Sequence, residues 1–184
     1  MLLAGTVFAY QGLWAGPYLF DVYGLSQIDV GNFLLLLAVG STVGSVSSGW
    51  LGDRFNLVRI LWLGIIVFIL SQLTLALRPP LVVVGVSLFL FGFSAASTIL
   101  VFAQLREIFP PEIIGQALST ANLFLFLGSF VLQWFIGVII ANFEVSKSGN
   151  YPPSAYSTAF FLTAFLSLFA IVLYYPFIRS NSSL

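Results

Sequence analysis

The sequence predicts an all-α integral membrane protein, a bundle of six transmembrane helices. Residues 1–20, 30–52, 60–77, 79–105, 113–143 and 148–178 contain no Asp, Glu, Lys or Arg. The six basic and six acidic residues lie between these stretches or just past the last one. The 184-residue chain is 60% hydrophobic and 7% charged, with a mean hydropathy of +1.08, whereas a soluble domain carries roughly 25% charged residues. A helix needs about 20 apolar residues to cross a bilayer. Within lipid every backbone N–H and C=O must be paired inside its own segment, so runs of this kind are helical.

Composition also narrows the chemistry. The net charge is zero, which disfavours a nucleic-acid partner. There is no Cys and no His, so thiol chemistry, disulfides, haem ligation by His and the usual zinc sites are excluded. No paired carboxylates, Ser–His set, phosphate-cradling Gly loop or metal cluster is visible. No catalytic residue, metal or cofactor is therefore expected, and the chain reads as a non-enzyme. The first apolar run lacks the basic n-region of a signal peptide and further spans follow at once, so it is read as a helix.

The helices are placed near residues 2–20, 29–52, 58–77, 81–104, 114–141 and 156–178, making a bundle over 1–178 and a short polar tail over 179–184. Ser26 and Asp29 form an S-x-x-D capping box that starts the second helix. Asn56 can adopt a left-handed conformation and end it. Arg78-Pro79-Pro80 makes a tight turn, because Pro restricts the residue before it and lacks an N–H. Pro110-Pro111 breaks the chain before the fifth helix. Ser148 to Ser154, with Gly149, Pro152 and Pro153, is the longest loop.

Alternate connections lie on the same side of the membrane. One side holds Arg54, Arg59, Arg106 and Arg179; the other holds Arg78 and Lys147. By the positive-inside rule both termini are expected in the cytoplasm. Tyr18, Tyr23, Tyr151 and Tyr156 then fall near the outer interface, and Tyr174 and Tyr175 near the inner one. Asn181-Ser182-Ser183 matches a glycosylation sequon, inert on the cytoplasmic side. No ionisable residue lies at mid-membrane; Asp21, nearest to one, is read as an exposed loop acid.

Between the second and third helices runs Gly49-Trp50-Leu51-Gly52-Asp53-Arg54-Phe55-Asn56-Leu57-Val58-Arg59. Here the chain resembles the major facilitator superfamily of transporters, whose signature loop reads roughly G-x-L-x-D-R-x-G-R-[RK]-[RK]. Gly49, Leu51, Asp53 and Arg54 match. Asn56 stands in for the second Gly, and only Arg59 remains of the basic cluster. A degraded copy of this kind is typical of the loop joining helices eight and nine. Gln11-Gly12-Leu13-Trp14-Ala15-Gly16-Pro17-Tyr18-Leu19 resembles the seventh helix of bacterial members, and Phe109-Pro110 with Gly115 and Ala117 resembles the entry to the eleventh. The resemblance implies the C-terminal six-helix half of a major-facilitator-type fold, helices seven to twelve, in the bacterial cytoplasmic (inner) membrane. Asp53 lies at the negative end of its helix dipole and needs a partner. Gly49, Asp53, Arg54 and Arg59 are thus a candidate conformational latch; a solvated loop is the alternative.

Polar and small residues form stripes. Gly40, Gly44, Ser47 and Ser48 make a close-packing face, which would meet either the fifth helix of a first half or a neighbour in this bundle. Gly115, Ser119, Asn122, Ser129 and Gln133 fall within about 80° of the fifth helix. Buried amides need partners and belong on the bundle interior or a wet cavity. The first helix groups Tyr10, Gln11, Trp14 and Tyr18, and the fourth groups Ser87, Ser94 and Thr98. The resemblance places these three helices around a transport cavity, so Tyr10, Gln11, Trp14, Ser94, Thr98, Asn122 and Gln133 are the candidate solute contacts; helix–helix glue is the alternative for each. The sixth-helix stripe Tyr156, Thr163, Ser167 and Tyr174 is read as packing.

The expected function is transport of a small solute by alternating access, as the C-terminal half of a secondary transporter (a fragment or split subunit). The expected partners are the lipid bilayer, the small-molecule solute and a second six-helix half, either a missing N-terminal bundle or a second copy in a homodimer. A non-transporting multi-pass assembly or interaction subunit is the alternative.

Overall fold

The computed structural model describes residues 2–181 except 56, 97, 98, 147 and 148, with side chains described for all of these but 2, 3, 53, 57, 58, 99, 104, 171 and 173–181. Among the described residues it is all-helical. The first span is continuous helix over Leu2–Tyr23, divided into α1 (Leu2–Ala9), a π-helical turn (Tyr10–Trp14) and α2 (Ala15–Tyr23). There follow α3 (Gln27–Arg54), α4 (Leu57–Ala76), α5 (Leu81–Ala95), α6 (Ile99–Ile108), α7 (Ile114–Ala141) and α8 (Pro153–Asn181). By length and composition five helical runs can cross a membrane: 27–52, 59–76, 81–108, 114–141 and 153–170. The 22-residue first span would reach about 33 Å at 1.5 Å per residue, enough to cross as well.

The breaks have local causes. Gly24 ends α2 in the left-handed region at φ 64°, with its N–H bonded to the Phe20 carbonyl at 2.9 Å. Ser26 caps α3: its Oγ accepts from the Asp29 N–H at 3.2 Å and donates to Asp29 Oδ2 at 2.6 Å. The helix thus begins at Gln27, two residues before the expected boundary. At its other end Phe55 is extended and bonds back to the Leu51 carbonyl; the proposed cap Asn56 lies outside the described residues. Arg78 is the sole non-glycine with positive φ among the described residues, at 56°. It follows the last turn of α4, where the chain must reverse before Pro79 and Pro80. α8 runs on to Asn181, into the stretch read as a tail.

In lipid, association depends on close packing and internal polar bonds rather than on expulsion of water. Both devices are present. α3 packs chiefly on α5, α4 lies against α5 and α8, and α1 lies against α7. The α3–α5 contact is backbone on backbone: a Cβ on Gly40 would sit 2.9 Å from the Phe89 carbonyl carbon, and one on Gly44 would sit 2.8 Å from Ala96 Cβ. Gly92 meets α3 in return, with Ser41 N 2.9 Å from its notional Cβ. The Gly40–Gly44 stripe therefore faces a neighbour inside this bundle.

An aromatic spine fills the interior. Tyr10 stacks on Phe160 (centroids 4.4 Å, planes 4° apart), and Phe68 stacks on Phe91 at 4.7 Å. Tyr18 meets Phe160 edge-on at 5.1 Å and donates to the Leu75 carbonyl at 2.9 Å. The Ser157 hydroxyl donates to the Ala76 carbonyl at 2.6 Å. Tyr156, Thr163 and Ser167 are all buried, so these three residues of the α8 stripe are part of the core; the Tyr174 side chain lies outside those described.

Candidate functional site

The proposed solute contacts divide into two groups. Tyr10 and Ser94 are buried within the bundle, at 1% and 2% exposure. The Tyr10 hydroxyl lies 3.2 Å from Thr163 Oγ1, and Ser94 Oγ donates to the Phe91 carbonyl at 3.1 Å. Both are enclosed by the bundle in this structure. The reason is general: a hydroxyl in lipid seeks a partner on a neighbouring helix or its own backbone. Thr98 lies outside the described residues.

Gln11, Trp14 and Gln133 are half-buried, and Asn122 is exposed. Trp14 and Gln133 come together where the π turn of the first span faces α7. The Trp14 indole Nε1–H donates to the Gln133 carbonyl at 3.0 Å. The Gln133 Nε2 amide reaches the Phe8 carbonyl at 3.4 Å, at the long end for a hydrogen bond. A Cβ on Gly137 would lie 3.0 Å from Trp14 Cζ2, so glycine there lets the edge of the indole approach α7 closely. A π turn of this kind inserts an extra residue into the helical ladder, and such turns recur at functional sites.

Beside this contact is an open cavity of about 470 Å³, lined by Leu13, Trp14, Phe130, Gln133, Trp134, Gly137, Val138 and Ala141. Among the described residues no charged one lines it. Trp134 is 64% exposed and Phe130 67%. Asn122 lies on the same side of α7, 11 residues and so about 20° around from Gln133 at 100° per residue.

At the far end of the motif loop, Gly49 is exposed and a Cβ there would meet nothing within 4 Å. Arg54, in the last turn of α3, holds its guanidinium carbon 5.5 Å from the Trp50 ring centroid, a cation–π contact. Arg59 is exposed in the first turn of α4. The Asp53 side chain lies outside the described residues.

Two polar features escaped the sequence reading. Asp21 is half-buried, not a free loop acid: its Oδ2 accepts from the Tyr156 hydroxyl at 2.5 Å and the Tyr151 N–H at 3.2 Å. A lone carboxylate between tyrosines far apart in sequence gives no local signal of this. Gln72 on α4 is fully buried, and neither its Oε1 nor its Nε2 has a partner among the described residues. A single amide in an otherwise apolar run was the available sign.

Residues 1–183 match the sequence pattern of the Major Facilitator Superfamily. The chain belongs to that superfamily. It is 31% identical over 139 residues to the gentisate transporter of Corynebacterium glutamicum, covering 74% of this chain and 31% of the relative. It is 29% identical over 153 residues to the arabinose-proton symporter of Bacillus subtilis, covering 81% of this chain and 32% of the relative. A putative metabolite transport protein of B. subtilis, YwtG, is 29% identical over 146 residues, covering 77% and 32%. The chain thus spans about a third of the length of the curated relatives it matches. No solved structure matches it significantly. As a superfamily member with several apolar spans, it is a multi-pass membrane protein of a transporter lineage.

Proposed function

We propose that this chain forms the C-terminal half of a secondary transporter and carries a small solute across the membrane by alternating access. A second six-helix bundle, a separate N-terminal half or a second copy of this chain, completes the path. In this reading the protein sits in the bacterial cytoplasmic membrane with both termini inside. Solute transport is what the named relatives share.

The observation that carries the reading is the uneven covering of the spans. Only 17% of the most apolar stretch of α3 and 28% of that of α7 are buried, against 33% and 39% for α4 and α8. Thr42 and Ser45 on α3 bond back to the Ala38 and Ser41 carbonyls of their own helix, whereas the exposed Asn122 amide on α7 has no hydrogen-bond partner among the described residues. An unpartnered amide facing pure lipid is costly, so a second bundle enclosing an aqueous path explains it. Gln11, Trp14, Asn122 and Gln133 then face that path. Gly49, open in this bundle, would let the partner approach α3, while Asp53, Arg54 and Arg59 latch one conformation.

The test is uptake of a solute panel into proteoliposomes, with and without a pH gradient. Flux above empty liposomes that is lost in Gln133→Leu and Asn122→Leu with unchanged helicity supports transport. Lost folding or partner binding in those variants, without any flux in the parent, favours an assembly subunit instead.

A further inference from the structure

The chemistry of the cavity between the π turn and α7 specifies more than its presence does. Its walls are two indoles, Trp14 and Trp134, with Phe130 and aliphatic groups. The Trp14 ring is held in place: its N–H is bonded to the Gln133 carbonyl and its edge lies on Gly137. A ring held this way loses little freedom when it stacks on a ligand. Trp134 shows no hydrogen bond to its indole N–H, and Gln133 Oε1 accepts none, among the described residues. Both residues line the cavity, so an aromatic slot has one donor and one acceptor on its walls that are unpartnered among the described residues. Among the described residues no charged side chain of either sign lines the cavity, so neither an anion nor a cation finds a counter-ion among them.

A packed helix is a poor occupant. Helices in lipid approach closely through small residues, as α3 and α5 do here through Gly40, Gly44 and Gly92. Two indoles and a phenyl ring hold a neighbouring backbone away. The volume of about 470 Å³ falls in the range of small-molecule sites.

We propose that this cavity takes a flat, uncharged aromatic molecule with a hydrogen-bonding substituent, stacked on Trp14 and Trp134 and read by Gln133. This rests on the transport reading for its purpose, but not for its chemistry.

The test is calorimetric titration of the chain in lipid nanodiscs, corrected with empty discs. The probes are 3-hydroxybenzamide, its saturated counterpart cyclohexanecarboxamide, the anion 3-hydroxybenzoate and the cation tetramethylammonium. The expected result is binding of 3-hydroxybenzamide about tenfold or more tighter than of the other three. Trp134→Leu should weaken it about tenfold while Trp134→Phe retains most of it. Gln133→Leu should weaken it by a similar factor. Circular dichroism and melting serve as folding controls, and Trp134 is exposed enough that its variants should fold. Equal binding of the saturated probe, tighter binding of either ion, no binding by folded protein, or insensitivity to Trp134→Leu overturns the proposal. If ring-selective binding holds while every solute fails to move, the transport reading falls alone. If solutes move but the saturated probe binds as well as the aromatic one, the ring site falls alone.

Discussion

The Tyr10 hydroxyl and Thr163 Oγ1 lie 3.2 Å apart across 153 residues of chain, and they join the first span to α8 at the centre of the bundle. The stacked rings of Tyr10 and Phe160 lie beside them. Tyr10→Phe keeps the stacking and removes the bond, so it should cost about 0.6 kcal/mol, in line with interhelical polar pairs in membranes. Tyr10→Ala also removes the ring and should cost about 3–5 kcal/mol. Thermal unfolding of the two variants with Thr163→Val, arranged as a double-mutant cycle, checks the assignment. Additive losses for Tyr10→Phe and Thr163→Val would show that the pair does not interact.

Glycines on α3 should differ by position. Gly44→Ala places a methyl 2.8 Å from Ala96 Cβ and 3.0 Å from the Phe93 carbonyl carbon, and overpacking of this kind costs about 1–3 kcal/mol. Gly49→Ala meets open space and should be neutral or better in this bundle, since Ala favours helix over Gly by about 1 kcal/mol. The same Gly49→Ala change should impair solute uptake if a partner bundle covers that face. Parallel melting and uptake measurements separate the two effects.

Among the described residues neither amide atom of the buried Gln72 has a hydrogen-bond partner. A buried amide with no partner costs about 1–3 kcal/mol, and an apolar side chain of similar shape removes that cost. Gln72→Met should therefore raise the melting temperature. A lower melting temperature would mean that the amide is paired in the folded protein.

Asp21 ties the end of the first span to α8 through the Tyr156 hydroxyl and to the loop before α8 through the Tyr151 N–H. Hydrogen bonds to charged groups are worth about 1.5–3 kcal/mol. Asp21→Leu should speed hydrogen exchange at the Tyr151 amide by about tenfold or more, with little change at α3. Asp21→Asn keeps an acceptor and should give a smaller effect. Unchanged exchange in Asp21→Leu would show that the loop is held by other contacts.

Much of this architecture is legible in the linear chain, and the reason is the solvent. Lipid offers the backbone no partner, so each long uncharged run must be a helix, and the charges, prolines and Ser26 cap mark where it stops. Gly40 and Gly44 could likewise be read as a packing face, because only small residues let two backbones meet. The sides of the helices were harder to read. In a soluble helix polarity separates inside from outside; here the lipid-facing and packed faces are equally apolar, so Tyr10 and Gln11 look alike as candidates.

Tertiary structure alone decided that Tyr10 and Ser94 turn inward, that Trp14 and Gln133 meet beside an open cavity, and that Asp21 finds Tyr156. Each depends on a partner more than 100 residues away, or on which face a neighbouring helix happens to cover. The chain's composition and charge spacing determined the medium and the spans; the three-dimensional packing determined which side chains remain available for chemistry.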